Sequence, residues 1–184
     1  RPDGVPTWVL DPIDGTKAFV TGRPLFGTLI GLVVDGRPII GVLDVPVLAE
    51  RWVGASGRVT RCHDRQCRAS EISELSAARL SATTIDMFDG SERERFDALG
   101  RKVSFRVFGG DCHSYGLVAS GFIDAVVEAD LHVYDYLPVV PIVEGAGGRM
   151  TDWEGRELTL ERDSSRVVAA AAGIHDACID VLQT

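Results

Sequence analysis

The sequence predicts a layered α/β fold, α+β in the order of its elements, built on two sheets. Three observations carry that expectation. Residues 1–84 are dominated by short apolar, β-branched runs separated by turn residues, and residues 85–184 alternate strand and helix patterns. The composition is that of an ordinary globular domain, with 45% hydrophobic and 25% charged residues in 184. That excludes a disordered tail, a collagen-like repeat or a coiled coil, and the length suffices to close a core as one domain over 1–184.

Each element follows from its residues. Arg1-Pro2-Asp3-Gly4 has turn chemistry and leads into a strand at Thr7 to Leu10. Leu25 to Val34 and Pro38 to Val45 are β-branched runs divided by Asp35-Gly36-Arg37, a hairpin signal, and a further strand spans Glu50 to Gly54. The arginine-rich stretch from Arg58 to Arg68 reads as a hairpin tip or exposed loop, and Leu80 to Thr84 as another strand. Ser91 to Leu99 is helix-forming, with Phe96 and Leu99 on one face and a stop at Gly100. Val103 to Phe108 alternates as a strand, Cys112 to Ser120 reads as a helix, and Ile123 to Glu128 as a strand. Asp135 to Glu144 is apolar enough for a buried helix, which Pro138 and Pro141 restrict and Gly145-Ala146-Gly147-Gly148 ends. Strands at Arg149 to Thr151 and Val167 to Ala171 and a helix from Ile174 to Leu182 finish the chain.

Charge and cysteine content narrow the function classes. With 27 acidic and 19 basic residues the formal net charge is -8, which argues against a nucleic-acid binder, since such proteins cluster Lys and Arg against phosphates. A small anionic substrate needs something local to reverse the sign. Cys62, Cys67, Cys112 and Cys178 match no structural zinc spacing, so Cys62-His63 with Cys67 reads as a solvated loop and the expected setting is a reducing cytoplasm. No apolar run approaches the roughly 18 residues of a membrane span.

One constellation carries chemistry. Asp11-Pro12-Ile13-Asp14-Gly15-Thr16 stands at the end of the first strand, where a sheet delivers side chains to a cleft. Pro12 fixes one dihedral and Gly15 permits a sharp bend, so both carboxylates and the intervening carbonyl can converge. Hard oxygen donors on a rigid turn suit magnesium. The competing reading, two aspartates capping the next turn, would prevail for a lone Asp-x-x-Asp but not for all six residues after such a strand.

These six residues resemble the metal-binding motif of the inositol monophosphatase family, magnesium-dependent phosphomonoesterases with an αβαβα sandwich fold. The family's second motif is matched by Tyr134-Asp135 opening a segment that ends in Glu144-Gly145-Ala146-Gly147-Gly148. Gly109-Gly110-Asp111-Cys112 and Val126-Val127-Glu128-Ala129 occupy the positions of its substrate-facing loop and strand, so the likeness runs from about Trp8 to Trp153. Lys17-Ala18-Phe19, the run from Gly22 to Thr28, Glu50-Arg51-Trp52-Val53-Gly54 and Tyr134-Asp135-Tyr136-Leu137 are most similar to the bacterial histidinol-phosphatases of this family.

The resemblance implies roles. Asp11 would bridge two or three Mg2+ ions, Asp14 and Asp135 would complete a second metal site, and the Ile13 carbonyl would join the first. The Thr16 hydroxyl would orient the attacking water, and the backbone N–H groups of Gly15 and Thr16 would hold the phosphate. Asp111 and Glu128 would face the rest of the substrate, with Arg106 nearby; such an acidic pair suits the ammonium and imidazole of histidinol phosphate. Asp111 also reads as an N-cap for the helix near Cys112, and His132 as a surface-loop histidine. Family members carry a Glu-Glu pair upstream, preceded by two helices, whereas no Glu precedes Glu50 here. The N-terminal helices and first hairpin are therefore expected to be missing from this sequence. The implied activity is hydrolysis of L-histidinol phosphate in histidine biosynthesis by a homodimer. The alternatives are an inositol-1-phosphate or broader sugar-phosphate phosphatase, and a non-catalytic remnant that keeps its carboxylates for stability or assembly. No nucleic-acid or membrane partner is expected.

Overall fold

The computed structural model describes residues 4–162 and 164–184. The turn expected at Arg1 to Gly4 falls, apart from Gly4, outside them. The first sheet is an antiparallel meander of six strands in sequence order: β1 (Thr7–Asp14), β2 (Gly27–Val34), β3 (Arg37–Val45), β4 (Glu50–Ala55), β5 (Arg61–Cys62) and β6 (Arg65–Gln66). A short helix, α1 (Thr16–Val20), which the sequence reading did not anticipate, interrupts the path between β1 and β2. The β2 to β3 hairpin turns on Asp35 and Gly36, with φ of 49° and 74°, the paired positive dihedrals that a two-residue turn demands. The arginine-rich stretch is the β5 to β6 hairpin.

The second sheet has the order β10-β11-β9-β7-β8, from β7 (Arg79–Ala82), β8 (Phe105–Phe108), β9 (Ala125–Glu128), β10 (Gly148–Asp152) and β11 (Val167–Ala171). Its β7, β8 and β9 are parallel and the remaining pairs antiparallel. Asp124, fully buried at the foot of β9, accepts hydrogen bonds from the Arg79 backbone at 2.8 Å, from Arg79 Nε at 2.7 Å and from Ser70 Oγ at 2.6 Å, which ties β7 to β9.

Helices separate and flank the sheets. α3 (His113–Ala119) and α5 (Val140–Gly145) lie between them, while α2 (Gly90–Gly100) and α6 (Ala172–Leu182) cover the far face of the second. One core, holding Leu29, Leu43, Trp52, Tyr136 and Ile142, fills the space between the sheets; another, holding Leu80, Phe96, Trp153 and Ile174, lies under α2 and α6. The layers run sheet, helix, sheet, helix, four of the five in the expected sandwich. On the outer face of the first sheet Trp8 and Leu10 are 60% and 55% exposed. α2 starts from Asp89 through a capping box: the Asp89 carboxylate accepts the Glu92 N–H at 2.9 Å and Glu92 Oε2 accepts the Asp89 N–H at 3.0 Å.

The single helix expected over Asp135 to Glu144 is corrected to three pieces: α4 (Val133–Tyr136), a 3₁₀ turn at Leu137–Val139, and α5. Pro138 and Pro141 lack the N–H a continuous helix needs, so each begins a new segment. The broken chain lies on a row of small residues. Gly31 pairs with Gly41 and Gly41 with Gly54 across β2, β3 and β4. A Cβ on Gly41 would come 1.8 Å from the Pro138 carbonyl oxygen, and one on Gly54 2.4 Å from that of Pro141. The glycines let the backbone of residues 138–142 rest on the sheet, which sets where α4 meets β1. Among the described residues no helix is long and apolar enough to cross a membrane, and all four cysteines are free thiols.

Candidate active site

The site begins with an irregularity in β1. Asp11 pairs with Leu29 of β2, but the next pair is Asp14 with Gly27, so three steps on one strand match two on the other. In a regular strand residues three apart point to opposite faces; one extra residue restores them to the same side. Pro12, which has no N–H to offer the ladder, sits in the bulge, and its carbonyl accepts the Thr28 hydroxyl at 2.9 Å. The Ile13 N–H bonds back to Asp11 Oδ1 at 3.0 Å, and the Thr16 hydroxyl donates to the Ile13 carbonyl at 3.1 Å. Gly15 turns the chain with φ of 78°, and a Cβ there would lie 3.2 Å from both the Asp111 side chain and the Leu25 carbonyl oxygen.

Asp135 arrives from the first turn of α4, where its Oδ2 accepts the His132 N–H at 2.7 Å. One carboxylate oxygen from each of Asp11, Asp14 and Asp135 lies within 4.8 Å of the others. The Asp14 carboxyl is pushed up to about 7, chiefly by burial and further by Glu128 and Asp135, against hydrogen bonds from Cys112. Burial also pushes Asp135 up to about 6, with Asp11 adding to the rise and the His132 N–H opposing it. Three hard oxygen donors this close, two of which are held from ionising by burial and by neighbouring carboxylates, are a donor set that magnesium fits, since a divalent cation offsets that repulsion.

The opposite wall comes from α3 and β9. Cys112, just ahead of α3, donates its backbone N–H to Asp14 Oδ1 at 2.8 Å. Asp111 holds a left-handed conformation, φ 44°, with its side chain against Gly15; burial raises its pKa, while Arg23 and Lys17 lower it. It does not cap α3: Cys112 holds that position, no side chain caps the helix, and only the Asp111 backbone carbonyl accepts the Ser114 N–H. Glu128, at the end of β9, is buried, which raises its pKa; its Oε1 accepts the Thr83 N–H at 2.8 Å and its Oε2 the Tyr115 hydroxyl at 2.7 Å.

A cleft of about 260 Å³ is lined by Asp11, Asp14 and Asp135, by Asp111, Tyr115 and Glu128, and by Gly15 and Thr16. The expected site residues thus converge, with one exception. Arg106 is corrected: its guanidinium donates to Asp97 Oδ1 of α2 at 2.6 Å and lies 5.6 Å over the Phe96 ring, outside the cleft lining. Asp97 and Phe96 hold it because β8 is an edge strand packed beside α2. His132 stays on the rim, its side chain 67% exposed. Tyr115 and Thr83 were missed by sequence reasoning. Tyr115 lies three residues beyond Cys112, within the helix expected from Cys112 to Ser120 and about one turn on from its start, which was the available signal.

Comparison with known proteins gives a consistent set of likenesses. Residues 1–183 match the inositol monophosphatase family. The chloroplastic bifunctional phosphatase IMPL2 of Arabidopsis thaliana is 43% identical over 183 residues, 96% of this chain and 53% of that protein. A histidinol-phosphatase of Mycobacterium tuberculosis is 39% identical over 155 residues, 80% of this chain and 59% of that protein. The solved structure of an inositol monophosphatase from Zymomonas mobilis superimposes with a TM-score of 0.95 at 40% identity, covering all of this chain and 73% of that one. That of an inositol monophosphatase from Anabaena gives 0.87 at 28% identity, again over all of this chain and 73% of the other. The chain spans just over half the length of these two curated relatives.

Proposed function

The chain belongs to the inositol monophosphatase family, and from that premise we propose that it acts as a magnesium-dependent phosphomonoesterase that hydrolyses L-histidinol phosphate to L-histidinol and phosphate. The observation that carries the substrate reading is the second acidic wall. Asp111 and Glu128 face the same cleft as the metal-type triad but belong to other elements, α3's approach and β9. A phosphate ester whose leaving group bears an ammonium and an imidazole would bring charged N–H donors to the two carboxylates, whereas a polyol would bring only neutral hydroxyls, which Glu128 can also accept, so Asp111 is the sharper discriminator. Relatives at 39% and 34% identity that are histidinol-phosphatases support the same choice.

In this reading Asp11, Asp14 and Asp135 hold the cation, with the Ile13 carbonyl as a further oxygen donor. Bound magnesium supplies the positive charge that a chain of net charge -8 lacks, and it lowers the pKa of a coordinated water. The Gly15 and Thr16 backbone N–H groups hold the phosphate, and the Thr16 hydroxyl orients the attacking water. That water adds to phosphorus, the ester P–O bond breaks, and one proton of the water ends on the leaving oxygen while the other stays with the phosphate product. Asp111 and Glu128 hold the leaving group. A homodimer working in the cytoplasm is part of the same proposal, carried by the family likeness alone.

Asp111→Ala tests the substrate assignment. The expected result is a fall in kcat/KM on histidinol phosphate of about tenfold or more, relative to p-nitrophenyl phosphate. Equal losses on both esters would remove Asp111 as the residue that selects the substrate.

A further inference from the structure

α3 is common to both walls of the cleft. At its approach the Cys112 N–H holds Asp14, and one turn later the Tyr115 hydroxyl holds Glu128 Oε2. Tyr115 and Glu128 are each only 2% exposed, and the Tyr115 ring belongs to the core between the sheets. A carboxylate offers about four lone-pair positions. Thr83 and Tyr115 occupy one on each Glu128 oxygen, and the carboxylate is left to meet a ligand with what remains.

We propose that Tyr115 is a positioning residue for substrate selection: by donating to Glu128 Oε2 from a ring locked in the core, it fixes how Glu128 presents its remaining acceptors to the cleft. This rests on the reading that the cleft binds a phosphate ester with its leaving group against Glu128. Two donated hydrogen bonds favour the ionised form of Glu128, and as a carboxylate it only accepts from the ligand. The cleft therefore selects esters that bring an N–H or O–H donor to this point, and a cationic N–H most strongly. Without the hydroxyl the ring still fills its place, but Glu128 is held by Thr83 alone and is free to turn.

The test is a double-variant cycle in the full-length protein: Tyr115→Phe, Glu128→Gln and both together, assayed with magnesium on histidinol phosphate, inositol-1-phosphate and p-nitrophenyl phosphate. Tyr115→Phe is expected to lower the preference for histidinol phosphate over p-nitrophenyl phosphate by about tenfold, mainly through KM. Glu128→Gln loses at least as much, and the double variant matches Glu128→Gln. The double variant leaves no buried charge short of a donor, so it decides the matter even where Tyr115→Phe alone folds poorly. Equal losses on all three esters, or losses that multiply in the double variant, would make Tyr115 merely structural and overturn the inference. If the parent protein instead prefers inositol-1-phosphate, the histidinol reading fails while Tyr115 is judged by the same cycle on that ester. A protein silent on all three removes the reading and the inference together.

Discussion

Replacing Asp14 by Asn should stabilise the metal-free protein while abolishing its magnesium-dependent turnover. The folded-state pKa of Asp14 rises from 3.8 to about 7, mainly through burial, so the fold binds this proton more tightly than the unfolded chain does. A raised carboxyl pKa means that stability falls as pH rises. The loss is small near pH 4, grows across the interval up to 7, and is complete above it. A difference of about 3 pKa units corresponds to about 4 kcal/mol at most at pH 8, and to on the order of 2 kcal/mol at pH 5. Asn keeps an oxygen for the Cys112 N–H at 2.8 Å and carries no charge to set against Glu128 and Asp135. For a chain of 184 residues the gain at pH 8 translates into roughly 8–16 °C in Tm. Thermal unfolding in EDTA at pH 5 and pH 8 reads it directly, and adding magnesium should raise the Tm of the parent protein far more than that of the variant. A variant no more stable than the parent at pH 8, or one whose advantage does not grow with pH, would refute the argument that burial of this carboxyl opposes the fold.

Three further substitutions test the framework. Gly15→Ala places a Cβ at φ 78°, 3.2 Å from the Leu25 carbonyl oxygen, and should cost about 1–3 kcal/mol in urea unfolding; an unchanged midpoint would show that the turn needs no glycine. Gly41→Ala puts a Cβ 1.8 Å from the Pro138 carbonyl oxygen, so the sheet and residues 138–142 must separate; a Tm within about 2 °C of the parent would contradict that packing. Asp124→Asn removes the charge of a fully buried carboxylate whose partner, Arg79, is 34% exposed and keeps access to water, with an expected loss of about 1–3 kcal/mol in equilibrium unfolding; a loss below about 0.5 kcal/mol would mean that the pair does not tie β7 to β9.

What could be read from the sequence was what local chemistry decides. β2 to β4 were legible because β-branched runs end at Asp35-Gly36 and at the turn before Glu50, and the observed strands keep those limits. The metal-type triad was legible because Asp11 and Asp14 share one short motif, but its geometry depends on a bulge opposite Gly27 and Leu29, a tertiary fact with no local signature. α1 is too short for periodicity to show. The segment after Asp135 was read as one helix because apolar content outweighed two prolines whose effect depends on where each falls in a turn. Arg106 failed for a related reason: its neighbours in sequence do not include Asp97 and Phe96, which claim its guanidinium. Tyr115 was passed over because an aromatic residue in an apolar helix reads as core, and its ring is core; only its hydroxyl belongs to the site.

The decisive measurement is phosphate release by the full-length protein on histidinol phosphate and inositol-1-phosphate, side by side and with magnesium or EDTA. The expected result is turnover that requires magnesium, prefers histidinol phosphate and disappears in Asp14→Asn. Turnover that persists in EDTA, or survives the loss of Asp14, would contradict the assignment of the carboxylate triad as the metal centre.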